Sequence, residues 1–123
     1  HWLNYDEFLT PKLHEKLFEV DSTIGWNDRI GFRASIASKY RPFNHIENRP
    51  FNFLITPQIV MDSNIYDYGS NFADKILIAA GKMINICKEL GNTEFSVSWH
   101  NRTLSKDYNW EKGYIKLIQT FKK

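Results

Sequence analysis

At 123 residues the chain is long enough for one domain with a hydrophobic core and too short for two. Hydrophobic residues at 42% and charged residues at 24% are the composition of an ordinary globular domain. The net charge of +2 is spread among interspersed acids, with Lys122-Lys123 as the only basic run, so the electrostatic footprint of a nucleic-acid binder is missing; nor does any stretch approach the ~20 apolar residues of a membrane helix.

In chain order, Thr10-Pro11 reads as a helix start, with Thr10 as the cap and Pro11 in the first turn. Leu13, Leu17 and Phe18 continue the helical spacing over about 11–18. Glu19-Val20-Asp21-Ser22 follows as a brief strand. Residues 23–49, rich in Gly and Asn, carry little periodicity and read as a long irregular segment of the kind that is often functional. Phe51-Asn52-Phe53-Leu54-Ile55 is β-prone, and Ile59-Val60-Met61 reads as a more buried strand ending at Asp62. Ser70 is placed to cap a helix over about 71–90, whose apolar stripe is Phe72, Ile76, Leu77, Ala80, Met83, Ile84, Cys87 and Leu90, and Gly91 ends it. Cys87, the single cysteine, falls on that stripe and reads as a buried small hydrophobe; alone it makes no internal disulfide. Phe95, Val97 and Trp99 alternate with serines, which predicts a strand over 94–99, and a polar loop then leads to a helix over about 110–121. Strands alternating with helices predict an α/β fold with mainly parallel strands, a sheet or part of a barrel, spanning 1–123 as a single domain.

In parallel α/β folds ligands bind beyond the carboxyl ends of the strands. Three predicted strands end on polar, reactive residues: Val20 runs into Asp21, Met61 into Asp62, and Trp99 into His100. If those strands are neighbours, two carboxylates and an imidazole share one mouth, a combination suited to general acid or base work. Each residue also has a plainer reading, and Asp62-Ser63-Asn64 in particular is turn chemistry. Arg33, after Gly31-Phe32, reads as a partner for Asp21, an anion-binding group or a solvated loop arginine. His14 reads as a surface residue of the first helix. No pair of histidines has helical metal-ligand spacing, and neither a glycine-rich phosphate loop nor a GxSxG elbow occurs.

Asp21-Ser22-Thr23-Ile24-Gly25-Trp26, then Gly31-Phe32-Arg33-Ala34-Ser35 and Tyr40-Arg41-Pro42-Phe43, resemble a block of bacterial polysaccharide-deacetylase-like proteins that runs roughly "yDsTlGy…GFRaGt…yrPfd". Pro57-Gln58-Ile59-Val60-Met61-Asp62 and Ser98-Trp99-His100-Asn101 are similar to that group's later strand ends, the second being its "WHN" element. His1-Trp2-Leu3 resembles its "HyL" segment. The resemblance implies a distorted (β/α) barrel of the carbohydrate esterase family 4 type, which removes acetyl groups from sugars with a divalent metal, usually zinc. It implies His100 as the general acid that protonates the leaving group and Asp21 as the carboxylate that tunes it. It further implies substrate contacts from Trp26, as a wall of the acetyl pocket, and from Arg33, Asp62, Trp99, Asn101 and His1. An acetylated sugar of a bacterial glycan is the implied substrate, in the bacterial cytoplasm or cell envelope.

The chain also departs from that pattern. The Asp-Asp pair and His-x-x-x-His of the family's metal half do not occur, the Arg expected before His1 is missing, and Ala34-Ser35 stands where Ala-Gly is usual. With no initiator Met, the chain reads as the C-terminal part of such a barrel, inactive alone and carrying no metal ligands of its own. A zinc ion is expected only with the N-terminal half present. Half a barrel leaves open strand edges, so the missing half or a second copy of the chain is the expected partner. Two functions follow: a deacetylase-like hydrolase, or a non-catalytic module that binds a glycan or a partner protein through the same aromatic-rich mouth.

Overall fold

A computed structural model describes residues 5–122, so His1 lies outside the described residues. The first helix, α1 (Thr10–His14), is shorter than the apolar spacing predicts. Thr10 is its first residue rather than its cap, its hydroxyl accepting from the Asp6 N–H at 3.0 Å. Two parallel strand pairs form the centre. β1 (Val20–Asp21) pairs with β4 (Leu54–Ile55), Asp21 opposite Ile55. β5 (Gln58–Met61) pairs with β6 (Ser96–Ser98), Met61 opposite Ser98. The β-branched Ile59-Val60 of β5 are buried on both faces, as a strand covered by helices requires. Backbone bonds from Thr56 N–H to the Asp21 carbonyl, Gln58 N–H to the Ile24 carbonyl and Gly31 N–H to the Ile59 carbonyl continue the contact past β4. The segment 54–61 is therefore flanked first by β1 and its following loop, then by β6.

The predicted irregular segment holds structure of its own. β2 (Phe43–Asn44) and β3 (Arg49–Pro50) make an antiparallel hairpin. The buried Asn44 side chain accepts from the Ile46 and Glu47 N–H groups, and Asn48 takes the left-handed conformation (φ 51°) that lets the chain reverse. Asp62-Ser63-Asn64, turn-like as a string, opens the short helix α2 (Asp62–Tyr66). After a 3-10 turn at Ser70–Phe72 comes α3 (Ala73–Leu90), where Leu77, Ala80, Ile84 and Cys87 are buried at intervals of three and four residues. The Ser70 side chain makes no capping bond, and Gly91 (φ 62°) ends the helix. A 3-10 turn at Asn101–Leu104 leads to α4 (Glu111–Lys122).

Ile59, Val60 and Ile65 pack with α3 and Leu117 of α4 in one core; Ile24, Phe51, Phe53 and Ile55 make a second beneath the hairpin. The fold is mixed α/β, and among the described residues the strands do not close into a barrel. No helix among them is long and apolar enough to cross a membrane.

Candidate functional site

The end of β5 and the end of β6 meet at Asp62 and His100. Since Met61 lies opposite Ser98, Asp62 follows one residue beyond that pair and His100 two. The Asp62 side chain is fully buried (0% exposed) and is surrounded by donors. His100 Nδ1 lies 2.7 Å from Oδ1, and the Ser63 N–H donates to the same oxygen at 2.9 Å. The His100 N–H donates to Oδ2 at 3.0 Å. The Thr103 hydroxyl, itself buried, lies 2.8 Å from Oδ2 and 2.7 Å from the His100 carbonyl, and gives its one proton to either. A carboxylate only accepts, so Nδ1 carries the imidazole proton toward Asp62. The ring is 27% exposed and borders a cavity of about 550 Å³. Ser22 and Thr23 beyond β1, Met61 and Ser63 at the β5–α2 junction, and Ser98 beside His100 line it.

The strand-to-helix junction is held from below by Asn64, which is buried. Its Oδ1 accepts from the Met61 N–H at 2.7 Å, and its Nδ2 donates to the carbonyls of Trp26 (3.0 Å) and Asn27 (2.7 Å). Asn64 and Thr103 thus position the site, and sequence reasoning missed both. A short polar residue in a turn-like string carries no local sign of long-range bonding, and the bonds of Thr103 and Asn64 span 41 and 38 residues.

Asp21 is not the carboxylate beside His100. Its register partner is Ile55, upstream of the β5 end, and its carboxylate is bonded to His14 Nδ1 at 3.1 Å and to the Thr23 N–H and hydroxyl. His14 is accordingly no plain surface residue: it stands edge-on to the rings of Tyr5, Phe18 and Phe53. Among the described residues there are therefore two separate Asp–His pairs. Burial, with the negative charge of Asp21 adding, pushes the phenols of Tyr5 and Tyr40 above the usual tyrosine range. Both phenols line a second cavity of about 650 Å³ together with Trp26, Arg33, Phe43 and Phe51.

The remaining sequence-predicted residues divide accordingly. Trp26 and Arg33 border the second cavity, with the guanidinium carbons of Arg29 and Arg33 4.7 and 5.6 Å from the Trp26 ring centre. Arg33 Nη1 also donates to the Gly25 carbonyl at 3.3 Å. Trp99 packs against Tyr66 and Tyr114 on the core side, its buried Nε1 without a hydrogen-bond partner among the described residues. Alternation explains it: Ser98 faces the cavity, so its neighbour faces the helices. Asn101 is exposed in the following 3-10 turn, outside both cavities. Among the described residues no three His, Cys, Asp or Glu side chains gather as a metal-ligand set.

Compared with protein-family models, curated proteins and solved structures, the chain finds no match.

Proposed function

We propose that this chain is part of a polysaccharide-deacetylase-like hydrolase, in which His100 donates a proton to the leaving group as an acetyl group is removed from a sugar. The Asp62–His100 pair carries the reading: a buried carboxylate bonded to an imidazole that borders a polar cavity. Asp62 fixes the ring through Nδ1, and a protonated Nε2 gives an imidazolium compensated by that carboxylate. As water adds to the acyl carbon and the bond from that carbon to the sugar nitrogen or oxygen breaks, the Nε2 proton passes to the departing atom and the ring returns to neutral. The acetyl group leaves as acetic acid with the hydroxyl of that water, whose other proton goes to solvent. The carboxylate assigned here is Asp62 rather than the Asp21 that the resemblance implies. Parallel pairing of β1 with β4 and of β5 with β6 supports the reading of a partial (β/α) barrel. The resemblance places its metal ligands outside this chain, and among the described residues no three such side chains gather.

The test is acetate release from an acetylated chitooligosaccharide by the protein that carries this segment, with His100→Asn as the variant. Loss of a general acid lowers the rate by about 10²–10⁴-fold; a variant that works at the full rate removes His100 from the mechanism. The aromatic-lined cavity around Trp26, apart from His100, favours a second reading, a non-catalytic module binding glycan or partner protein there. Under that reading Trp26→Ala abolishes binding while His100→Asn changes nothing.

A further inference from the structure

The cavity in front of His100 is also lined by Tyr68, which is 59% exposed. Tyr66, two residues earlier, is stacked on Trp110 with ring centres 4.7 Å apart, whereas Tyr68 makes no ring contact among the described residues. Its backbone is nonetheless tightly held. The Ser63 carbonyl accepts from both the Asp67 and the Tyr68 N–H groups, each at 3.0 Å. The next residue, Gly69, is buried so close to α2 and α3 that a Cβ there would lie 2.6 Å from the Ile65 carbonyl and 2.1 Å from the Ile76 Cδ1. Only glycine permits that approach. From Asp62, which holds His100, to Gly69 the chain is one short constrained segment, and it presents an aromatic ring to solvent. The rest of the cavity wall is largely uncharged hydroxyl and amide groups, among them Ser22, Thr23, Gln58 and Ser98, with one acid, Asp67, and one base, Arg102, beside His100.

We propose that Tyr68 is the stacking platform for a sugar ring, and that the cavity selects a neutral, hydroxyl-rich pyranose over one bearing carboxylate, sulfate or phosphate. This rests on the carbohydrate reading of the same site. An aromatic face packs on the C–H face of a pyranose, while hydroxyl and amide groups bond its rim. An anionic sugar finds no excess of cations here, since the lining holds one base, Arg102, and one acid, Asp67, and an imidazolium at His100 is matched by Asp62.

Calorimetric titration of the protein with neutral tri-N-acetylchitotriose and with an anionic uronic-acid trisaccharide tests this. The neutral sugar binds the wild-type protein and the uronate does not. Tyr68→Phe and Tyr68→Trp stay within about threefold of wild type, and Tyr68→Ala weakens binding by about tenfold or more with an unchanged melting temperature. Wild-type affinity in Tyr68→Ala, preference for the uronate, or no binding of the neutral sugar each overturns the proposal. Acetate release by His100→Asn separates the two claims. If that variant is fully active while binding depends on Tyr68, the hydrolase role of His100 falls and the platform stands. If acetate release depends on His100 while Tyr68→Ala binds normally, the platform alone falls.

Discussion

A carboxylate without exposure is costly to ionise unless its lone pairs are met, and around Asp62 the donors come from three places in the chain: Ser63, His100 and Thr103. Removing the carboxylate leaves those donors unmet. Asp62→Ala is expected to lower stability by about 3–5 kcal/mol in denaturant titrations, the cost of breaking a buried charge-assisted pair. Asp62→Asn keeps the volume but presents an amide nitrogen to one of those donors and takes the ionic partner away from His100. It is expected to fold and to lose most acetate-releasing activity, as judged by circular dichroism beside the activity assay; equal activity in Asp62→Asn and wild type would show that the pair is only structural. Asp21 and Asp62 look alike as strings, each closing a strand before a serine. What separates them is the histidine that each meets.

At the scale of elements, α4 is seated on α2 through an aromatic stack that depends on one glycine. A Cβ at Gly113 would come within 1.9 Å of the Tyr66 hydroxyl, and that ring is pinned between Trp110 and Trp99. Gly113→Ala is expected to cost about 1–3 kcal/mol by overpacking. In a Tyr66→Phe background, which lacks the clashing oxygen, the cost should shrink; an undiminished cost would mean that the helix, not the ring, gives way. The hairpin is tied to the region of α1 by Glu15, which bonds Arg49 at 2.7 and 3.1 Å and accepts from the Asn52 N–H at 2.7 Å. Hydrogen bonding to Arg49 holds the Glu15 carboxyl below its ordinary range. A depressed carboxyl contributes above its unfolded value and stops contributing as pH falls through its folded one. Amide exchange at Asn52 should therefore stay slow at neutral pH, relative to its intrinsic rate, and lose protection in acid before the β5–β6 amides do.

For the whole molecule, the alkaline limit follows from what the cores enclose. Burial raises the Cys87 thiol above its ordinary value of 9.0, and raises the Tyr40 and Tyr66 phenols above 10.0. Groups with raised values favour the fold at full strength below their unfolded values, and that contribution is lost as pH climbs through the folded ones. Denaturation midpoints are thus expected to hold between pH 7 and 8.5 as far as these groups are concerned, and to fall between 9 and 11. The buried Cys87 should react with a thiol reagent much more slowly in the native protein than in the unfolded chain. Rapid native labelling would mean that α3 opens readily.

The pattern of residues by itself determined α3, since apolar side chains at intervals of three and four can be buried together only on one face of a helix. It also placed β5 and β6 and the histidine beyond β6, because alternation and β-branched runs act between near neighbours. Short strands such as β2 and β3 escaped it, since two residues and an asparagine turn make no period. Above all, the partner of His100 was decided by tertiary structure. Val20–Asp21 lies against Leu54–Ile55, whereas Ser96–Ser98 lies against the end of β5, and that register delivers Asp62 rather than Asp21 to the imidazole. Register is set by pairing across some forty residues, so it leaves no mark on the local sequence around either aspartate.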